Sequence, residues 1–382
     1  MLAITNGKIH TITHGIIENG TVLMEGGKIT EVGDSVTIPA GATVIDAKGG
    51  WVTPGLIDVH THLAGGFLGQ NTMPGDADLN EGSDPITPNM RAIDFVNPFD
   101  FAVEKTRNAG FTTVYTMPGS ANLIGGMGTA IKLRGKTADQ MAIPGTETMK
   151  FALGENPKRF YGSNGKAPKT RMGSAGMVRE MLTRAVEYSD ALAAGEKPKF
   201  DAKLQALIPV VRGEMLCRMH AHRADDIMTH VRIAKEFNLK FVIEHATEGW
   251  KVADVLAEEG VTCIVGPMTI GMIKRELWEL RLDNTAQLEK AGVNFCITED
   301  DALATQYLPS HIGLAMREGL SEQTAFEAVT IRPAKVMGLD HRVGSIEVGK
   351  DADIAVFGGH PFCNMTPCQL VVIDGEIYKN TL

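Results

Sequence analysis

VTPGLIDVHTHLAG, residues 52–65, runs largely apolar through 56–59, then sets His60 and His62 two positions apart before a small-residue turn. Side chains alternate along a strand, so the two imidazoles leave it on the same side. A buried strand that ends on a pair of co-facing imidazoles must bring them to something. The question is which other segments meet them there.

Strand-like runs recur at 56–60, 112–116, 129–133, 148–152, 215–220, 240–244, 261–265 and 293–298, with helical patterns at 98–109, 174–193, 224–237, 250–259 and 284–291. Alternating β and α segments imply a parallel sheet. Eight strands in this span fit an α/β fold of the (β/α)8 TIM-type barrel better than an open doubly wound sheet. The stretches 117–128 and 134–147 leave little room for full helices around the third strand. The two ends differ in texture, with short alternating strands and turn signals at Asn6-Gly7, Gly26-Gly27 and Asp374-Gly375. The expectation is a small β-sandwich built jointly from 1–54 and 343–382, with the barrel over 55–342.

A formal charge of -9 argues against a nucleic-acid footprint. No apolar run approaches a membrane span, and the first residues show no secretory pattern. Five cysteines, an odd number with no C-x-x-C pair, argue against a disulfide framework and a cysteine zinc site. The expected compartment is the cytoplasm. GGMGTA, residues 125–130, lacks the full dinucleotide fingerprint and any Gly-Lys-Ser/Thr, so it reads as turn glycines.

Barrel chemistry sits at the carboxyl ends of the strands. The first strand ends on His60 and His62, the fourth carries Lys150, and the fifth carries His220 and His222. The sixth closes on Glu244-His245 and the eighth on Glu299-Asp300-Asp301. Neutral imidazole and carboxylate are the usual ligands of zinc and similar ions. A lone strand histidine is more often a hydrogen-bonded core residue, but five at three strand ends, with acids at another, point to a divalent metal centre. His10, His14, His230, His341 and His360 read as structural. His311, close after the eighth strand, is a candidate to touch substrate.

TPGLIDVHTHL and TIRPAKVMGLDHRVGSIEVGKDADIAVF together resemble the first-strand signature and carboxyl-terminal segment of the amidohydrolase superfamily, closest to its imidazolonepropionase-like and prolidase-like groups. The resemblance runs nearly end to end. It implies a distorted barrel with a terminal β-sandwich, a homo-oligomer, and a site for one or two divalent ions, zinc being expected. It makes His60 and His62 ligands of one metal, and His220 and His245 ligands of a second. Lys150 falls where relatives carry a carboxylated lysine bridging two metals, with Glu155 in competition for that place. Relatives show Thr-Asp at the eighth strand. Here the text is Thr298-Glu299-Asp300-Asp301, and alignment on the following QYLP places Glu299 at the metal-binding aspartate, with Asp300 as the alternative base. Segments typical of imidazolonepropionase itself are not found.

The implied reaction is hydrolysis of an amide or cyclic-amide C–N bond of a small molecule by water whose pKa the metal lowers to about 7. Glu299 or Asp300 would move the proton. His222 would serve substrate, with a structural role as its equal rival. Lys158, Arg159, Lys166, Lys169, Arg171, Arg218 and Arg223 suggest a basic rim for a substrate carboxylate, or else a solvated loop. The Gly/Pro-rich stretch 65–97 reads as a lid or an oligomer contact. The alternatives are a deaminase using the same metal site and a non-catalytic protein that keeps the scaffold.

Overall fold

A computed structural model describes residues 1–66, 78–301 and 303–382. Strands β1 (Leu2–His10), β2 (Ile16–Glu25), β3 (Lys28–Gly33), β4 (Thr43–Asp46) and β5 (Trp51–Pro54) precede the barrel strands. The barrel strands are β6 (Leu56–Thr61), β7 (Phe111–Thr116), β8 (Ile124–Lys132), β9 (Thr148–Ala152), β10 (Cys217–Ala221), β11 (Phe241–His245), β12 (Cys263–Val265) and β13 (Phe295–Ile297). β14 (Ile354–Phe357), β15 (Cys368–Ile373) and β16 (Glu376–Asn380) follow.

β6 to β13 neighbour one another in chain order and form a nearly closed barrel. At the seam, the Thr298 hydroxyl lies 2.6 Å from both the His60 carbonyl and an Asp58 carboxylate oxygen. Every residue of β6, β7, β9 and β10 is buried, as expected of strands covered on both faces. Side-chain caps start several of the covering helices. Asp100 accepts from the Ala102 amide before Phe101–Asn108, Thr170 from Gly173 before Arg171–Ala193, and Asp201 from Lys203 and Leu204 before Ala202–Val211. The sequence patterns missed Glu155–Ser163, Ala202–Val211 and Leu308–Arg317.

The third strand departs from the regular parallel expectation. β8 runs antiparallel to both β7 and β9. The flanking segments explain this. A parallel crossover needs a dozen or more residues, usually with a helix, whereas an antiparallel return needs few. Residues 117–123 are too short for a crossover, and the later connection holds only the brief helix Ala138–Met141.

The other eight strands form one sheet holding both ends of the chain, in the order β16-β15-β14-β5-β1-β2-β3, with β4 also paired to β1. It has its own core, including Ile4, Ile9, Val22, Val52, Ile354, Val356 and Leu370. All five cysteines are free, and Cys217, Cys263 and Cys296 are buried in barrel strands. Among the described residues no helix is long and apolar enough to cross a membrane.

Because β8 is reversed, its last residue leaves the barrel at the rim away from the other strand ends. There the buried Lys132 ammonium meets Asp351 at 2.8 Å, Asp353 at 3.2 Å and also Asp374, all carried by the terminal sheet and its approach. Asp351 also takes Lys28 at 2.6 Å and Arg342 at 2.8 Å. Burial opposes its charge, but the hydrogen bonds from Lys132 and Lys28 bring its pKa down to about 2. A carboxylate depressed in the folded state stabilises above its unfolded pKa, and this is lost as pH falls through the folded value. Urea unfolding should therefore show stability declining between about pH 4 and about pH 2, and Asp351→Asn should flatten that decline.

Candidate active site

Two strand alternations begin the site. His60 lies next to the last residue of β6, and its Nδ1 is 2.5 Å from a Glu244 oxygen on β11. His62 follows on the same side, with Nδ1 2.8 Å from the Met117 carbonyl. His245, one residue after Glu244, has Nδ1 2.7 Å from the Gly266 carbonyl. A carbonyl or ionised carboxylate can only accept, so these three rings carry a proton on Nδ1, and Nε2 is the atom each can offer to a cation. His222 is tied at Nδ1 to the Thr247 hydroxyl at 2.7 Å.

The lone pairs converge. The ligand atoms of His220, His222 and His245 lie within 4.8 Å of one another, as do those of His60, His245 and Asp300. Asp300 Oδ1 is 3.0 Å from His60 Nε2 and 3.3 Å from His62 Nε2. Lys150 Nζ is 3.3 Å from His60 Nε2 and 3.6 Å from the Met117 sulfur. Desolvation lowers His220 and His222 well below the usual histidine range and His245 to about 3, which keeps these rings neutral. Desolvation also brings Lys150 down to about 8, against the pull of Glu244 and Asp300. For Asp300 burial works against the charge, but its contacts with the His60 and His62 rings hold the carboxyl well below the ordinary carboxylate range.

The donor set fits a divalent cation. Both nitrogens of His220 and Nε2 of His245 are buried with no hydrogen-bond partner. Natural proteins leave few buried polar atoms unpaired; one nitrogen of the neutral His220 ring carries its proton, so the other and His245 Nε2 are free to bind a cation.

Several sequence expectations change. Glu299 does not face the histidines. It turns to His311, with Oε2 2.6 Å from Nδ1, and Asp300 takes the place beside His60 and His62. Asp300 adopts a left-handed φ of 54°, which turns the chain just after β13 so that the second acid, the alternative to the aligned Glu299, meets the histidines. Glu155 opens the helix Glu155–Ser163, facing Arg159 at 3.8 Å and the Glu276 amide at 3.4 Å, and belongs to neither ligand group. Arg218 is no rim residue. It is buried, with Nε 2.5 Å from Glu244 and its guanidinium over the Tyr115 ring. Arg171 and Arg223 are paired with Asp226 and Asp225. Residues 67–77 of the expected lid lie outside the described residues, while Leu79, Ile86 and Ala92 are buried.

Three participants were missed. Lys274 Nζ reaches His222 Nε2 at 2.9 Å, Glu276 at 2.9 Å and the Asn156 side-chain Oδ1 at 3.1 Å. Glu276 is fully buried beside His222 at 3.7 Å. Both come from the irregular segment after β12, whose sequence offers no periodic signal. Asp58 lies one strand alternation before His60. It accepts from the His60 and Glu299 amides and the Thr305 hydroxyl, and burial raises its pKa to about 7.

The amidohydrolase family profile matches residues 51–378. The chain belongs to the amidohydrolase family. It is therefore a hydrolase of carbon–nitrogen bonds, with hydrolytic cleavage of amide-type bonds as its chemistry. A crystal structure of an amidohydrolase from Thermotoga maritima is 37% identical, covers all of both chains and superposes with a TM-score of 0.94. The amidohydrolase tasK of Hapsidospora irregularis is 29% identical over 93% of this chain, which spans only 39% of tasK. An imidazolonepropionase of a Geobacillus species is 26% identical over 90% of this chain and 84% of its own. Members of this superfamily bind divalent metals, and the histidine and aspartate groups of this amidohydrolase are of the kind that hold one.

Proposed function

We propose that this amidohydrolase binds one or two divalent ions, zinc being expected, and hydrolyses an amide or cyclic-amide bond of a small molecule. His60, His62 and Asp300 would hold one ion, and His220 and His245 a second, with Lys150 between them. The observation that carries the reading is the convergence of His60, His62, His220 and His245 near Asp300, with orphaned ring nitrogens on His220 and His245. A bound cation would polarise the scissile carbonyl and bring the pKa of a water towards about 7.

The remaining work falls to the chain. Asp300 accepts the proton of the attacking water and passes it to the leaving nitrogen, which departs as an amine. Glu244 and the Met117 and Gly266 carbonyls keep the ring tautomers in place. His222, fixed by Thr247 and next to Lys274, faces the substrate and orients its polar groups. Lys150, buried and readily neutral, can add to carbon dioxide, releasing a proton and leaving a carbamate that carries the negative charge a bridging position requires. The division into a sandwich of 1–54 with 343–382 and a barrel of 55–342 belongs to the same reading, as do a homo-oligomer and a cytoplasmic setting.

The test is metal content per chain on protein purified without chelators, followed by chelation and a screen of N-acyl amino acids, dipeptides, cyclic amides and amino-substituted ring compounds. We expect one or two equivalents of metal, hydrolysis that disappears on chelation, and recovery with zinc or manganese. Two equivalents support a carbamylated Lys150. Release of ammonia from ring amines with no amide cleavage would favour the deaminase reading. No metal and no uptake on addition would overturn the proposal.

A further inference from the structure

Thr298 is followed by three consecutive acids, and each is engaged differently. Glu299 is buried and its carboxylate lies 2.6 Å from His311 Nδ1. Asp300 reaches His60 and His62. Asp301 Oδ1 accepts from the Leu303 amide at 2.6 Å and the Ala304 amide at 3.1 Å, opening the turn Ala304–Tyr307. Had the strand simply continued, residues 299 and 301 would share one face and 300 the other. Instead Asp300 takes a left-handed conformation, uncommon for a non-glycine residue, between two acids that are each held by contacts of their own.

His311 supplies the contact on one side. It projects from the helix Leu308–Arg317 and is partnered twice, by Glu299 and by the Thr269 hydroxyl at 3.1 Å on the segment after β12. A glutamate with one more methylene than Asp300 sits one residue from the ligand cluster. Released, it is a rival carboxylate for the same imidazoles.

We propose that His311 is a positioning residue that decides which acid of the Glu299-Asp300-Asp301 run serves the metal centre: by holding Glu299 it keeps the rival away and leaves Asp300 as ligand and base. The inference rests on the metal-centre reading above. It assigns His311 a role through Glu299, without contact to substrate.

The test compares wild type with His311→Ala, His311→Gln, Glu299→Ala and the double variant Glu299→Ala/His311→Ala. Affinity for Zn²⁺ is read by competition with a chromophoric chelator, and the ligand field by the visible spectrum of the Co²⁺-loaded protein. His311→Ala should weaken metal binding about tenfold, as losses of supporting contacts around metal ligands do, and alter the Co²⁺ spectrum. The double variant, with no rival left, should return to within about twofold of Glu299→Ala. His311→Gln, whose amide can still donate to Glu299, should stay near wild type. Unchanged affinity in His311→Ala, or a double variant no better than His311→Ala, would overturn the proposal alone. Wild type that takes up no metal would overturn it together with the metal-centre reading. If His311→Ala does not fold, recovery of affinity in the double variant still supports the role, and its failure to recover overturns it.

Discussion

Asp300→Asn should lower kcat/KM by about a thousandfold on any amide the wild type cleaves, within the range expected for removing a positioned proton-transfer group. Asparagine preserves the shape and can still offer one oxygen to His60 and His62, which lie 3.0 and 3.3 Å from the present carboxylate. It cannot accept the proton of water, nor neutralise a cation. The loss should appear in kcat more than in KM, because the missing interaction belongs to the transition state. Steady-state kinetics over a pH series, with metal content measured on the same preparation, check this. A variant retaining a tenth of wild-type activity with full metal would remove Asp300 from the proton-transfer role.

That experiment bears on the point where the sequence was least legible. Alignment on the following QYLP put Glu299 at the metal, with Asp300 as the alternative. No local pattern announces the positive φ at Asp300, which follows a glutamate held by His311 and Asp58 from distant elements. The histidines at the ends of β6, β10 and β11 were legible because strand alternation and the barrel's polarity are enough to place them. β8 lay between. Its short flanks signalled trouble for a parallel crossover, but the reversal itself is visible only in the ladder to β7 and β9. Lys274 and Glu276 lie on irregular backbone after β12, where only tertiary folding brings them to His222.

Arg218→Met should destabilise the fold by about 3–5 kcal/mol, the usual cost of leaving one member of a buried ion pair alone. Arg218 Nε donates to Glu244 at 2.5 Å and Nη2 donates to the Val59 carbonyl at 2.6 Å. Glu244 is wholly buried, and despite that burial the Arg218 charge and His60 keep its carboxyl ionised, well below the usual range. Without Arg218 that charge has His60 as its near partner, and the carboxylate that fixes the His60 tautomer loses its own support. Urea unfolding should register the loss. Arg218→Met/Glu244→Gln should be milder than the single change, because the orphaned charge is gone. Equal or greater loss in the double variant would mean that packing over Tyr115, 4.4 Å from the guanidinium, is what matters.

The terminal sheet also has a consequence in time. Pro54 on β5 pairs with Ile354 on β14, so the two halves of that sheet are 300 residues apart in the order of synthesis. At about 5–20 residues per second, a ribosome takes roughly 15–60 s to deliver the second half after the first. During that interval β5 waits with an open edge, and Lys132 has been made without the three aspartates that will surround it. The barrel therefore meets its final stabilising contacts last. Cells making this protein should rely on chaperones to shield the early strands, and deleting the closing strands should be felt first as aggregation of nascent chains.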